Sequence, residues 1–157
     1  MAAQQPAELV IQLGHNGDVV RVDWSPDGKY FASACSDGAV KVWDAKLGLE
    51  ISTFYDFRTY AKYVSFSPDS KYLLATGANV LVFRDIASGK VISRFYGSTE
   101  NDPEREAEKN QAIFSPTGKY CFADMEDNTL LRWEAIESLQ PEAGEENEQT
   151  PLELPKT

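Results

Sequence analysis

Between residues 14 and 44 the chain reads GHNGDVVRVDWSPDGKYFASACSDGAVKVWD. Val20, Val22 and Trp24 alternate with Val19, Arg21 and Asp23, the period of two that sends neighbours to opposite faces of a strand. Ser25-Pro26-Asp27-Gly28 then stops it: a small polar residue, a proline with its φ preset and a closing glycine are the chemistry of a type I turn. A second, more apolar strand over 30–35 follows, Ser36-Asp37-Gly38 reverses the chain, and 40–43 forms a third. Residues 44–48 turn into a fourth over 49–54. The pattern predicts a four-stranded antiparallel meander with apolar residues on both faces of most strands, which requires a covering neighbour on each side.

The unit recurs. SPDGKYFASACSDGAVKVWD from Ser25 is echoed by SPDSKYLLATGANVLVFRD from Ser67 and SPTGKYCFADMEDNTLLRWE from Ser115. The first spacing falls in the roughly 40 to 45 residues of one propeller-blade repeat, and the longer second one marks an insertion. With Gly14-His15 at the start, Ser25-Pro26-Asp27-Gly28 in the middle and Trp43-Asp44 at the end, the first copy resembles a WD40 repeat. The resemblance covers residues 8–134 and implies an all-β fold, a WD40-type β-propeller segment of about three four-stranded blades: 14–54, 55–95 and 96–134. It also implies a structural hydrogen-bonded set, for which His15, Ser33, Asp37 and Trp43 stand in the matching positions. The later copies depart from it. The second has Ala75 for Ser33 and either Phe83 or Arg84 for Trp43; the third keeps Asp127 and Trp133 but has Ala123. Neither has a histidine, so the complete set is expected in the first blade alone.

The chain's 157 residues, 42% apolar and 11% aromatic, suit one globular domain, yet propellers usually have four to eight blades. An extra apolar strand is expected over 9–13, and in this family an N-terminal strand closes the ring as the outermost strand of the last blade. Three blades closing on themselves is geometrically too tight. The expectation is that another molecule completes the open edges, by homodimerisation or through a different partner, or that the chain is a fragment of a longer propeller.

Charge alters the picture at two places. The formal net charge is −10, and the acids concentrate in residues 100–109 and from 135 onward. That leaves the body nearly neutral and disfavours direct nucleic-acid binding, which depends on neutralising phosphates. Residues 135–157, rich in Glu, Pro and Gln without a period, are expected to form a disordered acidic tail. The N-terminus lacks signal-peptide character, no run has membrane-span length, and Cys35 and Cys121 read as two reduced, buried thiols. An intracellular protein, cytoplasmic or nuclear, is expected.

Enzyme chemistry finds no constellation. His15 is the only histidine and there is no clustered cysteine, so neither a catalytic base nor a zinc ligand set is expected. Ser88-Gly89-Lys90 lacks the upstream glycine and the following Ser/Thr of a phosphate loop and reads as a turn matching 44–48. No cofactor, metal or catalytic residue is expected. Interaction residues are: Tyr55, Phe57, Arg58 and Tyr60 place three aromatics and an arginine in the first interblade connection, residue types that dominate interface hot spots, although the same rings equally suit a wedge between blades. Glu104 and Arg105 lie in the insertion over 98–110, where Asp102 and Pro103 resemble a helix start. Alternating strand direction sends both segments to the same end of a propeller. The resulting expectation is a non-catalytic scaffold for protein–protein interaction in a multiprotein complex. The alternatives are an architectural subunit or fragment whose edges complete a propeller and, less well matched because Lys46 stands where arginine is usual, a ubiquitin-ligase substrate receptor.

Overall fold

A computed structural model describes residues 14–77, 80–96, 111–124, 130–135 and 152–153. The described strands form three antiparallel four-stranded sheets. The first holds β1 (Val19–Trp24), β2 (Tyr30–Cys35), β3 (Val40–Asp44) and β4 (Glu50–Phe54) in chain order. The second likewise holds β5 (Tyr63–Phe66), β6 (Tyr72–Gly77), β7 (Val80–Asp85) and β8 (Val91–Tyr96). The third holds β9 (Ala112–Phe114), β10 (Tyr120–Asp124), β11 (Leu130–Glu134) and β12 (Leu152–Glu153).

The β1–β2 turn works as its residues suggest. Gly28 N–H donates to Ser25 O at 2.8 Å, Ser25 Oγ accepts from Tyr30 N–H at 2.9 Å, and the same hydroxyl donates to Asp27 Oδ1 at 2.8 Å. Its last position is left-handed in every copy: φ is 70° at Gly28 and 71° at Gly118, and Ser70 holds 61° in the second blade. A side chain there costs on the order of 1 kcal/mol or more, which explains glycine in two copies of three.

Register settles the second copy's ambiguity. Phe31 pairs with Trp43, Cys121 with Trp133, and at the corresponding step Leu73 pairs with Arg84. Arg84 therefore occupies the tryptophan position, and Phe83 points to the other face.

Two apolar clusters join the sheets. Ala32, Ala34, Val40 and Val42 of the first sheet pack against Val64, Phe66, Leu73, Ala75 and Val82 of the second. The second sheet's opposite face, with Leu74, Leu81, Phe83 and Phe95, packs on Ala112, Cys121, Ala123 and Trp133 of the third. Polar contacts tie the innermost strands as well: Asp23 Oδ2 accepts from Phe66 N–H at 2.8 Å, and Arg21 donates to the Tyr63 hydroxyl at 2.9 Å.

Two expectations meet the structure differently at the ends of the chain. The strand over 9–13 lies outside the described residues. The outer strand of the third sheet comes instead from the tail, where Leu131 pairs with Glu153 and Arg132 with Leu152. This two-residue ladder reaches only Leu131 and Arg132 of β11. The rest of the tail, from residue 136, lies outside the described residues. No helix among the described residues is long and apolar enough to cross a membrane.

Candidate functional site

The first blade brings His15, Ser33, Asp37 and Trp43 together. Trp43 Nε1–H donates to Ser33 Oγ at 2.8 Å in a buried pair, and Ser33 Oγ lies 2.6 Å from His15 Nε2. In the tautomer that carries the histidine proton on Nδ1, the serine hydroxyl donates to Nε2 while its oxygen accepts from the indole. Nδ1 faces Asp37 Oδ1 at 3.6 Å, within ion-pair range but longer than a hydrogen bond, so this buried nitrogen has no hydrogen-bond partner. The His15 ring also meets Trp43 edge-on at 6.2 Å, and Phe31 stacks on Trp43 at 5.8 Å.

Electrostatics favours neutral histidine and ionised aspartate. Burial lowers His15 below its ordinary value, outweighing the upward pull of Asp37. Burial alone would raise Asp37, but hydrogen bonds from the Cys35 thiol and from the Ala39 and Asn16 backbone, with the charge at His15, hold it down at about 2. Ala39 N–H reaches Oδ1 and Asn16 N–H reaches Oδ2, each at 2.9 Å. Asp37 thus fastens the segment before β1 to the β2–β3 turn.

His15, Cys35 and Asp37 place their potential metal-ligating atoms within 4.8 Å of one another, a convergence that sequence reasoning missed because Cys35 lies between the motif positions. Their chemistry fits a metal poorly. Both carboxylate oxygens accept backbone N–H groups, Cys35 Sγ accepts from Asp37 N–H at 3.4 Å, and burial raises the thiol so that it resists becoming the thiolate a metal requires.

The loop-end residues divide. Loops 14–18, 36–38 and 57–61 gather at one end, with Ser36 N–H donating to Asp18 O at 2.9 Å and Ala61 N–H to Cys35 O at 2.9 Å. Tyr55 is 73% exposed, Arg58 is exposed and Tyr60 is half-buried. Phe57 is instead buried in the cluster between the first two blades, so the wedge reading holds for this ring and its availability to a partner is corrected. Its position follows from the glycines beside it: a Cβ on Gly38 would stand 2.5 Å from Phe57 O, and one on Gly77 2.9 Å from Phe57 Cδ1. Glu104 and Arg105, with the rest of the insertion and Asp127, lie outside the described residues.

Asp56 was missed altogether. Its carboxylate takes two bonds from Arg84 Nη2, at 2.6 and 2.7 Å, and one from Arg94 Nη2 at 2.9 Å, with its side chain 7% exposed. Arg84 also donates to Gly89 O and lies over the Phe54 ring at 4.1 Å. The arginine in the tryptophan position was the available signal, since a buried guanidinium needs a carboxylate close by. This network and Phe57 pin a loop whose intervening tips, Tyr55 and Arg58, stay exposed.

The repeat geometry agrees with comparison against known proteins. Residues 7–44 match the WD40 family, described as WD domain, G-beta repeat. The solved β-propeller domain of Myceliophteria thermophila Cps50 (Swd1) superposes with a TM-score of 0.69 at 17% identity, covering 90% of this chain and 38% of that one. This chain belongs to the WD40-repeat family. A second WD40 structure, the RRP9 WD40 repeats, superposes with a TM-score of 0.68 at 16% identity over 80% of this chain and 38% of its own. Among curated relatives, eukaryotic translation initiation factor 3 subunit I of Aspergillus terreus is 33% identical over 129 residues, and that of Coccidioides immitis 30% over 134. Each match takes in 78% of this WD40 chain, which spans 38% and 39% of those relatives' lengths.

Proposed function

We propose that this WD40 chain is a non-catalytic scaffold that binds other proteins within a multiprotein assembly, and that the assembly belongs to translation initiation in the cytoplasm. The likeness to translation initiation factor 3 subunit I supports the setting. The observation that carries the scaffold reading is how the polar side chains are used. His15 bonds to Ser33 and Ser33 to Trp43, Asp37 to the backbone of Asn16 and Ala39, and Asp56 to Arg84 and Arg94, so these side chains are spent on tying strands and loops together. At the same end Tyr55 and Arg58 are presented on a pinned loop, the arrangement by which rigid β scaffolds offer contacts at low entropic cost. The insertion with Glu104 and Arg105 enlarges that surface in this reading.

Affinity capture of the tagged chain followed by mass spectrometry tests it. Initiation-factor subunits recovered with the parent, and reduced roughly tenfold or more with Tyr55→Ala plus Arg58→Ala, are expected, since aromatic and arginine anchors contribute over 1 kcal/mol each at hot spots. Recovery of the same proteins with a folded double variant rejects the surface. Recovery of none of them with the parent rejects the setting.

A further inference from the structure

The cleft between the first two blades holds more positive than negative charge. Arg84 of β7 and Arg94 of β8 both reach the one carboxylate of Asp56, and among the described residues no other acidic side chain lies within ion-pair range of either arginine. Arg84 is fully engaged: it gives Asp56 two bonds through Nη2, gives Gly89 O another through Nη1 and covers the Phe54 ring. That pairing alone balances Asp56. The second arginine brings a charge that the described residues do not neutralise.

The first blade builds the same strand without it. Val42 pairs with Ser52 as Phe83 pairs with Ser93, so the uncharged Thr53 is the counterpart of Arg94. The Arg94 side chain is 38% exposed, against 11% for Arg84 and 7% for Asp56, which places the surplus charge on the solvent side of a nearly buried ion pair. Its Nε–H is buried and finds no hydrogen-bond partner, so Asp56 does not use up its donors. A guanidinium fixed through one nitrogen and open to solvent elsewhere is preorganised for an oxygen anion, because its planar fork matches one and little side-chain freedom is left to lose.

We infer that Arg94 anchors an anion-binding site at the solvent edge of this cleft and takes a carboxylate from an acidic segment of a protein partner. Charge selects the class. The surplus is that of one arginine, and an Asp56 oxygen already stands 2.9 Å from Arg94 Nη2. A singly charged carboxylate balances the surplus, whereas a phosphate group, close to doubly charged at neutral pH, overshoots it and is repelled by Asp56. Tyr55, beside Asp56 in the chain and 73% exposed, offers an aromatic surface to the residues flanking the acid. The inference rests on the scaffold reading for the source of the carboxylate and extends that contact surface from Tyr55 and Arg58 to Arg94.

Titration of the purified, isotope-labelled full chain with a capped tetraglutamate peptide tests it, at about 0.15 M salt so that only close charges act. The readout is the Arg94 side-chain Nε–H resonance, which needs no variant to report on the site. A saturable shift is expected, with binding weakened about tenfold or more by Arg94→Gln and unchanged by Lys46→Gln, which removes the same charge from an exposed side chain in the β3–β4 turn. Two small anions separate the classes: acetate should bind more tightly than inorganic phosphate at equal ionic strength. No saturation below about 10 mM peptide, parental binding by an Arg94→Gln variant shown to be folded by circular dichroism, an equal loss with Lys46→Gln, or tighter binding of phosphate than of acetate each overturns the proposal. Any of these leaves recovery of initiation-factor subunits by the parent chain untouched, so the site and the scaffold reading fail separately.

Discussion

Replacing Ser33 with alanine removes one oxygen that serves two buried nitrogens. Trp43 Nε1 loses its 2.8 Å acceptor and His15 Nε2 its 2.6 Å partner, while the His15 side chain is only 2% exposed. An orphaned buried polar group costs about 1 to 3 kcal/mol, and some relaxation of the ring toward Asp37 is available, so the loss should be about 2 to 4 kcal/mol. For a chain of this size that lowers the melting midpoint by about 6 to 12 °C. The third blade supplies the converse. There Ala123 occupies the serine register and Trp133 Nε1 is buried without a hydrogen-bond partner, so Ala123→Ser offers the missing acceptor and should stabilise by about 0.5 to 1.5 kcal/mol. Urea titration at a shared slope measures both. A Ser33→Ala variant within about 0.5 kcal/mol of the parent would refute the assignment of this serine as the hub of the first blade.

Trp43→Ala should cost about 3 to 5 kcal/mol in the same titration, through the lost ring and the unpaired serine. Asp56→Ala should cost about 3 to 5 kcal/mol, because it strands Arg84 and Arg94, and a double-mutant cycle with Arg84→Met should recover part of the loss. Phe57→Ala should destabilise by about 3 to 5 kcal/mol while Tyr55→Ala leaves the midpoint unchanged, separating the wedge from the exposed tip. Stability should fall on acidification in two steps: burial lowers folded His15, so protection present above its ordinary 6.5 is lost as the pH drops below that value, and the Asp37 contribution fades between 3.8 and about 2. A His15→Gln variant should abolish the first step in pH-resolved denaturant melts.

Legibility in the sequence followed locality. The turn around Ser25 announces itself because its bonds run between residues at most five apart, and the strand alternation of the first blade is equally local. The polar set was found through its repeat positions, although its bonds span 10 and 18 residues. Asp56 shows the opposite case: its arginine partners lie 28 and 38 residues away, and although Arg84 holds the tryptophan position of its repeat, nothing near Asp56 itself marks it. For Phe57 the sequence left a partner surface and a buried wedge equally open, since the choice depends on the space left by Gly38 and Gly77, far from it along the chain. The pairing of Leu152 with Arg132 depends on a distant segment returning to β11, which alternation over two residues does not encode.

The scaffold reading is tested most directly by the size of the particle the chain travels in. Gradient sedimentation of a cell extract containing the tagged protein should place it far above twice its own 17.5 kDa, and Tyr55→Ala plus Arg58→Ala should return it to the light fractions while it stays folded. A chain that sediments only at its own mass or twice that, with or without the two substitutions, would contradict the account.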